Sequence, residues 1–370
     1  MIKTLFIFGT RPEAIKLAPA IRCLQARRSE FDVRVCVTAQ HRQMLDEVLA
    51  VFDLTPDHDL DVMLPGQTLY QSTSRIIAGL EPVIAAERPD FVIVQGDTTT
   101  TFCGALAAFY AGVPVAHVEA GLRTGDLRHP FPEEMNRILT SRLATIHFPP
   151  TEQAAANLLA EGVAPEAIHV TGNTAIDAVL HVRDKLAAGH LSETAEIKLD
   201  PAKRLLLVTA HRRESFGEGF ERICSALARL AEREDVELVY PVHPNPNVRE
   251  PVYRRLGGSA NIHLTEPLAY VPFIDLMRRA YLLLTDSGGI QEEAPSLGKP
   301  VLVMRRTTER PEAVEAGTSI LVGADSDVIV SETARLLDDE AAYTAMSRIH
   351  NPYGDGAASQ AIATVLAGAM

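Results

Sequence analysis

The chain has 370 residues, of which 22% are charged and 46% hydrophobic, as in a folded globular protein of about two domains. Its net charge of −13 argues against a broad nucleic-acid or anionic-membrane surface, because both partners are themselves negative. The four cysteines form no C-x-x-C pair, and the first apolar run is too short for a signal peptide or a membrane span, so we expect a cytoplasmic protein with reduced thiols.

The first half of the chain alternates buried strands with helices. Leu5–Phe8, Val33–Val37, Phe91–Val94 and Val113–Val118 have the apolar character of strands covered on both faces, and helical patterns separate them. Such alternation predicts a parallel sheet whose polar residues collect at the carboxyl ends of the strands. Asp97 and Glu119 both fall at such ends.

The same pattern restarts in the second half. Leu205–Val208, Glu237–Val242 and Ile262–Leu264 are predicted strands, and a polar loop with His211 follows the first of them. We therefore predict an α/β chain in which two Rossmann-like domains have parallel sheets facing across a central cleft. Their predicted bounds are residues 1–175 and residues 176–353, and a C-terminal helix at about 354–370 is expected to pack back on the first domain.

A later stretch, 282–302, has the pattern of a phosphate-binding site. Leu282–Leu284 is a buried strand, Ser287–Gly289 permits a tight turn with exposed backbone N–H groups, and a helix is predicted from about Ile290. The N-terminal end of that helix would suit a diphosphate, with Glu292 and Glu293 placed to reach a sugar hydroxyl. An ordinary strand, turn and helix is the alternative.

Three polar sets would meet in the predicted cleft. They are an anion-binding set (Arg11, Lys16, His211, Arg310 and the Ser287–Gly289 turn), a carboxylate set (Asp97, Glu119, Glu133) and a ribose-binding residue (Glu293).

Each set has a structural alternative. Arg11 and Lys16 could form a solvated helix start, and Asp97 could cap the following helix, where Thr98–Thr101 compete for that role. His211 and His243 could be structural histidines bonded to backbone. The sequence has no H-E-x-x-H pair and no G-x-G-x-x-G after a strand, which argues against a metal site and a dinucleotide site.

With these residues in place, the whole chain resembles the non-hydrolysing UDP-N-acetylglucosamine 2-epimerases. The resemblance depends on segments such as GTRPEAIKLAP, QGDTTT, HVEAGLRTGD, PEEMNR, TAHRRESFG, TDSGGIQEEAPSLGKPVLV and TTERPEAVEAGT. It implies a GT-B fold, a homodimer, and interconversion of UDP-GlcNAc and UDP-ManNAc without a redox cofactor, supplying ManNAc units for a surface polysaccharide.

The resemblance also assigns residues. It implies that UDP contacts Arg11, Lys16, Phe273, Ser287, Gly288, Gly289, Glu293 and Arg310, that the chemistry belongs to Asp97, Glu119, Glu133 and His211, and that a regulatory UDP-GlcNAc contacts Gln40, His41, Gln43, Arg212 and His243. Gly66 stands where a basic side chain is expected in strongly regulated members, which leaves the strength of activation open.

The chemistry of a hexosamine constrains the mechanism. Its C2–H is not adjacent to a carbonyl, so loss of UDP from C1 must precede or accompany removal of that proton. We therefore expect anti elimination to 2-acetamidoglucal and re-addition of UDP, with the three carboxylates sharing the acid and base roles and His211 holding the diphosphate. A hydrolysing epimerase, a GT-B glycosyltransferase, a nucleotide-sugar sensor and a further-modified sugar remain alternatives.

Overall fold

The structure, a computed structural model, describes residues 1–38, 42–64, 66–191 and 197–369, and the backbone alone for 42–44. The chain divides into two compact units. Unit 1 comprises Met1–Ala178 and the C-terminal segment from Tyr353, and unit 2 comprises Val179–Pro352.

Unit 1 contains a six-stranded parallel sheet in the order β3-β2-β1-β4-β5-β6. Its strands are β1 (Ile2–Phe8), β2 (Phe31–Val37), β3 (His58–Asp59), β4 (Phe91–Gln95), β5 (Val115–Val118) and β6 (Ile146–Phe148). Its helices are α1 (Arg11–Ala26), α2 (Arg42–Val51), α3 (Leu69–Glu87), α4 (Thr99–Tyr110), α5 (Glu133–Leu143) and α6 (Glu152–Ala160), with the later helix α15 (Ala358–Gly368) against α1. The boundary between the units falls within α7 (Thr174–Ala187).

Unit 2 repeats this architecture with the order β12-β11-β10-β7-β8-β9, again parallel. Its strands are β7 (Arg204–Thr209), β8 (Val236–Pro241), β9 (Ile262–Thr265), β10 (Leu282–Thr285), β11 (Val301–Val303) and β12 (Ser319–Leu321). Its helices are α8 (Glu218–Leu230), α9 (Pro246–Leu256), α10 (Tyr270–Arg279), α11 (Gly288–Glu293), α12 (Pro311–Ala316), α13 (Ser326–Asp338) and α14 (Glu340–Ser347). Short 3-10 turns span Pro165–Ala167, Arg213–Ser215 and Ala294–Leu297.

The predicted α/β class with two Rossmann-like sheets is confirmed. Central strands carry the cores, since Leu5–Phe8 and Leu282–Leu284 are fully buried, as a parallel sheet covered by helices on both faces requires. The short edge strands β3 and β12 were not predicted, because two or three residues carry too little hydrophobic pattern to detect. The helix predicted from about Ile290 begins two residues earlier, at Gly288.

The close packing of the strand ends shapes the loops that follow them. At the end of β1, a Cβ on Gly9 would lie 2.1 Å from Thr38 Oγ1 and 2.6 Å from Thr100 Oγ1, so only glycine fits there. The two threonine hydroxyls are 2.9 Å apart and hydrogen-bonded. The loop after β1 is therefore pressed against the end of β2 and the start of α4.

Candidate active site

A buried carboxylate organises the loop after β1. Glu13 is 1% exposed, and its Oε2 accepts hydrogen bonds from the backbone N–H groups of Gly9 (3.1 Å) and Thr10 (2.8 Å). Its Oε1 accepts from the hydroxyl of Thr98 (2.8 Å) and lies 3.2 Å from Thr101 Oγ1; both threonines belong to the loop and first turn after β4. Burial raises the pKa of Glu13. Glu13 thus fixes the loop after β1 to the loop that carries Asp97.

Lys16 and Glu119 form a close ion pair from two neighbouring elements of unit 1. Lys16 lies on α1, Glu119 directly follows β5, and their side chains are 19% and 9% exposed. Glu119 has a φ of 60°, a left-handed conformation that costs a non-glycine residue energy and is concentrated at functional sites. Lys16 is therefore part of an internal pair, and the solvated helix start considered from the sequence does not describe it.

Asp97 follows β4, and the structure resolves whether it serves as a helix cap. The N-cap of α4 is Thr98, whose side chain accepts from Thr101 N at 3.1 Å. The Asp97 carboxylate instead pairs closely with Arg137 of α5. Burial raises the pKa of Asp97, and Glu119 adds to the rise, while the positive charges of Arg137 and Lys16 oppose it.

Side chains from other elements hold the Asp97 backbone. Asn136 Nδ2 donates to the Asp97 carbonyl at 3.0 Å. His117 on β5 is fully buried, and its Nε2 bonds the carbonyl of Gly96 at 2.7 Å. Burial lowers the pKa of His117 to about 3, so the ring is neutral and Nε2 carries the donated hydrogen. The Asp97 loop is therefore fixed on both sides of its carboxylate.

The start of α5 supplies further charged residues. Glu133 is its first residue and is partly exposed, whereas Glu134 is fully buried and accepts from the backbone N–H groups of Thr124 (2.9 Å) and Gly125 (3.0 Å). Arg137 Nη1 lies 3.3 Å from the second oxygen of Glu134. The structure thus joins Asp97, Lys16, Glu119 and Arg137 in one electrostatic group, and Glu133 begins the helix that provides Arg137.

In unit 2, the loop after β7 is organised by Asp286, which follows β10. Asp286 is fully buried, and its Oδ2 accepts from the backbone N–H groups of His211 (2.6 Å) and Arg212 (2.7 Å). Its Oδ1 lies 3.3 Å from His211 Nδ1. The ring of His211 stacks on His243, which follows β8, with centroids 5.5 Å apart and planes 13° apart.

The groups around His211 have opposing effects on its pKa. Burial lowers its pKa and Asp286 raises it, while Arg212 and His243 add smaller downward effects. His211 is 39% exposed at the side chain. His243 Nδ1 accepts from Asn245 N at 3.1 Å, so the structural alternative fits His243 better than His211.

The Ser287–Gly289 turn begins α11, and arginines surround it. The position of a Cβ on Gly288 would lie 3.7 Å from Arg310 Cζ and 4.0 Å from Arg212 Nη2. Ser287 is the N-cap and makes no side-chain cap, which leaves the first backbone N–H groups of the helix without a partner from that side chain. A turn of this kind beside two guanidinium groups is suited to an anion.

Glu292 and Glu293 lie in different environments, and this corrects the expectation that both reach a sugar hydroxyl. Glu292, expected to reach a sugar hydroxyl, is 3% exposed and pairs closely with Arg310. Glu293 is partly exposed, and its Oε1 lies 3.7 Å from the Cβ position of Gly289. Phe273 is partly exposed on α10. Glu293 is therefore the acidic side chain of this pair on the outer side of the turn.

A buried arginine that was not singled out from the sequence anchors the loop that carries Arg310. Arg305 is 6% exposed and donates to Glu214 and to Glu309, each at 2.6 Å. The Arg305 guanidinium holds the pKa of Glu309 down, to about 2. These three residues join the loop after β7 to the loop after β11, beside a cavity of about 990 Å³ that Glu214 and Arg305 help to line.

The expected regulatory residues are only partly visible. Gln40 and His41 lie outside the described residues, as does the side chain of Gln43. Arg212 and His243 lie beside His211, as described above. Gly66 has a φ of 75°, and no atom of the described residues lies within 4 Å of its Cβ position. Arg11 is the first residue of α1 and is partly exposed.

The described residues contain no group of three or more His, Cys, Asp or Glu side chains that could hold a metal ion. No helix within the described ranges is long and apolar enough to cross a membrane.

Each unit contains a six-stranded parallel sheet, which makes this an α/β protein of the GT-B-like class. Carboxylate–cation pairs lie at the strand ends of unit 1, and a cluster of arginine and histidine side chains lies at the strand ends of unit 2. A family model described as UDP-N-acetylglucosamine 2-epimerase matches residues 24–367. The chain therefore belongs to the UDP-N-acetylglucosamine 2-epimerase family, whose enzymes are isomerases.

Known proteins agree with this assignment. The chain is 59% identical over 370 residues to the UDP-N-acetylglucosamine 2-epimerase of Escherichia coli K12, covering 99% of this chain and 98% of that protein. The crystal structure of UDP-GlcNAc 2-epimerase from Neisseria meningitidis bound to UDP-GlcNAc is 48% identical, with a TM-score of 0.89 and 99% coverage of both chains. The Methanocaldococcus jannaschii enzyme in complex with UDP-GlcNAc and UDP is 33% identical, with a TM-score of 0.76 and 99% coverage of both.

Proposed function

We propose that this chain interconverts UDP-GlcNAc and UDP-ManNAc without hydrolysis, by anti elimination of UDP and its re-addition to 2-acetamidoglucal. The observation that carries this proposal is Asp97, a carboxyl whose pKa is raised by burial and which is held by Arg137 and Asn136 without being used as a helix cap. A carboxyl with a pKa moved towards neutrality is suited to both accepting and returning a proton.

A carboxylate of the set Asp97, Glu119 and Glu133 takes the proton from C2, the electrons of that C–H bond form the C1–C2 double bond, and the C1–O bond breaks with its electron pair leaving on UDP. Addition of a proton to the opposite face of C2 and return of UDP to C1 give the epimer. The close Lys16–Glu119 and Arg137–Asp97 pairs supply positive charge beside both carboxylates, which supports their assignment to proton transfer and charge stabilisation.

Retention of UDP is assigned to the anion-binding set. Arg310 and the Ser287–Gly289 turn form a positive, N–H-rich surface in unit 2, as a diphosphate requires. Glu293 is proposed to bind the ribose, because the neighbouring acidic residue, Glu292, is buried in an ion pair with Arg310. Phe273, Arg11 and Lys16 complete the proposed UDP contacts, and His211 is proposed to hold the departing diphosphate.

One experiment tests the reaction and its rivals. UDP-GlcNAc is incubated with the protein in D₂O and followed by NMR. We expect UDP-ManNAc to appear, with deuterium at C2 of both nucleotide sugars. Free N-acetylmannosamine with UDP would instead establish the hydrolysing reaction, and an unchanged substrate would contradict the epimerase proposal.

A second nucleotide-sugar site is proposed beside the first. Its described members are Arg212, which follows His211 in the loop after β7, and His243, whose ring stacks on that of His211. The related M. jannaschii structure contains UDP-GlcNAc and UDP, which supports room for two nucleotide ligands. A sigmoidal dependence of the initial rate on UDP-GlcNAc is expected, and a hyperbolic one would contradict it.

We also propose a homodimer working in the cytoplasm. Exposed aromatic side chains on α3 and α4 support the dimer, since Tyr70 is 88%, Tyr110 is 71% and Phe109 is 59% exposed. Replacing Tyr70 and Tyr110 by Glu should give a monomer in sedimentation velocity. Leu159→Glu on α6, another exposed apolar residue, is the control and should leave the dimer intact.

A further inference from the structure

The two oxygens of Asp286 have different surroundings. Oδ2 receives both backbone N–H groups of the loop after β7, from His211 at 2.6 Å and Arg212 at 2.7 Å. Oδ1 is buried and has no well-aligned hydrogen-bond donor within the described part of the chain. It lies 3.3 Å from His211 Nδ1. A fully buried carboxylate oxygen is costly to leave unpaired, so its environment requires an explanation.

His211 Nδ1 provides that explanation. A histidine nitrogen that faces a carboxylate carries the proton, and this fixes which tautomer of the ring is present. Hydrogen bonds within catalytic sites are often long until substrate is bound, so 3.3 Å is compatible with a contact that shortens during the reaction. The stacked ring of His243 restricts the plane of the His211 ring.

We propose that Asp286 is the positioning residue of His211: Oδ2 fixes the loop backbone, Oδ1 accepts the hydrogen of Nδ1, and Nε2 is thereby the ring atom that serves the substrate. The inference rests on the proposed function where it assigns Nε2 to the leaving diphosphate. In the reacting enzyme His211 is an imidazolium with a hydrogen on each ring nitrogen, and Asp286 Oδ1 stabilises this charged form through Nδ1–H. As the C1–O bond breaks, the Nε2 hydrogen passes to the departing phosphate oxygen and leaves a neutral ring with its hydrogen on Nδ1. The same hydrogen returns to Nε2 when UDP re-adds, so no proton is gained or lost over the cycle.

The test uses Asp286→Asn, because the two oxygens have separate roles. The amide oxygen can occupy the Oδ2 position and retain both backbone hydrogen bonds. The amide NH₂ then occupies the Oδ1 position and donates where Asp286 accepted, so neutral His211 must place its hydrogen on Nε2. The comparable exchange in a serine-protease triad keeps the geometry and selects the wrong tautomer.

The first readout is ¹⁵N NMR of histidine-labelled protein, in which protonated and unprotonated ring nitrogens resonate separately. The His211 signals are assigned by their loss in His211→Gln. For the neutral ring, we expect hydrogen on Nδ1 in the wild type and on Nε2 in Asp286→Asn. An unchanged tautomer would overturn the proposal, whatever the activity of the variant.

The second readout is the pH profile of kcat and of kcat/KM. The charged and titratable groups that act on His211 are Asp286 from the end of β10, His243 from the end of β8, and Arg212 from its own loop. Since Asp286 raises the pKa of His211, the limb that reports His211 should move to lower pH in Asp286→Asn. We expect kcat to fall by about 10²-fold or more. A switched tautomer with a wild-type kcat and pH profile would also overturn the proposal.

Tyr240→Phe is the matched control. The buried Tyr240 hydroxyl donates to the Ala210 carbonyl at 2.8 Å and so supports the same loop without touching the ring of His211. Its removal should leave the His211 tautomer and the pH limb unchanged, and a shift as large as that of Asp286→Asn would reduce Asp286 to general loop support. Failure of the proposed epimerisation would be seen in wild-type product analysis, independently of the tautomer measurement.

Discussion

The two units support their candidate catalytic loops with the same two devices, built from different residues. In unit 1, His117 donates to the carbonyl directly before Asp97, and Glu13 accepts the backbone N–H groups after β1. In unit 2, Tyr240 donates to the carbonyl directly before His211, and Asp286 accepts the backbone N–H groups after β7. Each donor lies on a strand next to the one it supports.

The difference between the buried carboxylates is informative. Both oxygens of Glu13 have donors, one from two backbone N–H groups and the other from the Thr98 hydroxyl. In Asp286 one oxygen is occupied in the same way and the other faces a titratable ring. A fully occupied carboxylate holds a loop in place, whereas one with an oxygen directed at a histidine also controls where that histidine carries its proton.

The variant with the largest expected effect is Asp97→Asn, which tests whether the loop after β4 carries a carboxylate that takes part in the reaction. Asp97→Asn keeps the size and the backbone contacts of Asp97 but removes its capacity to take a proton. We expect kcat to fall by about 10²–10⁴-fold in the assay of UDP-ManNAc formation. Turnover within a few-fold of the wild type would show that Asp97 is neither acid nor base.

Asp90→Asn is the control for that prediction. Asp90 precedes β4, at the opposite end of the strand from Asp97, and accepts from Lys3 N at 2.7 Å. The same chemical change on the same strand should leave kcat close to that of the wild type. A comparable loss in both variants would indicate a general disturbance of the sheet.

The sequence predicted where Asp97, Glu119 and His211 lie, because apolar runs mark the strands and polar residues follow directly. It did not predict the partners that hold them. Asn136 and Arg137 reach Asp97 from about 40 residues away, and Asp286 reaches His211 across 75 residues. These contacts depend on strand order, which places β4 beside β5 and β10 beside β7, and periodicity carries no information on strand order.

The next prediction, of intermediate size, concerns stability at low pH, which should depend on the donor His117 and not on the donor Tyr240. The pKa of His117 is lowered to about 3, whereas an unfolded histidine titrates near 6.5. The neutral His117 ring therefore makes its full contribution to the free energy of unfolding above about pH 6.5. That contribution is lost progressively as the pH falls towards 3, because the unfolded chain binds the proton first. The expected loss is about 1.4 kcal/mol per pH unit, or about 2 kcal/mol between pH 6.5 and pH 5. Tyr240 has no corresponding titration, because burial raises its pKa well above the ordinary value.

Hydrogen exchange by mass spectrometry at pH 6.5 and pH 5 measures this difference, once corrected for the intrinsic pH dependence of exchange. Peptides covering the loop after β4 should lose protection in the wild type and lose less in His117→Gln, whose amide can donate to Gly96 without titrating. Peptides covering the loop after β7 should respond equally in both proteins. Coinciding pH responses of the wild type and His117→Gln in the first loop would contradict the role given to His117.

The smallest expected effect is the sharpest test of the comparison, because it makes in unit 1 the exchange that should damage unit 2. In Glu13→Gln, the amide oxygen can keep the two backbone N–H groups, and the amide NH₂ faces the threonine hydroxyls. Thr98 can then accept from the amide and donate to Thr101 Oγ1 at 3.1 Å, while Thr101 donates to the Gln95 carbonyl at 2.6 Å. Every polar group in this group of residues keeps a partner.

Since burial raises the pKa of Glu13, the folded state disfavours its charge, and the neutral amide should be tolerated. We expect protection of the loop after β1 in hydrogen exchange to change by less than about 1 kcal/mol, with kcat and its pH profile near those of the wild type. Asp286→Asn, by contrast, should shift the pH limb and lower kcat. If Glu13→Gln lowered kcat as much as Asp286→Asn, the contact of Asp286 Oδ1 with His211 would have no special role. Neutralising any buried carboxylate behind a strand-end loop would then lower kcat equally.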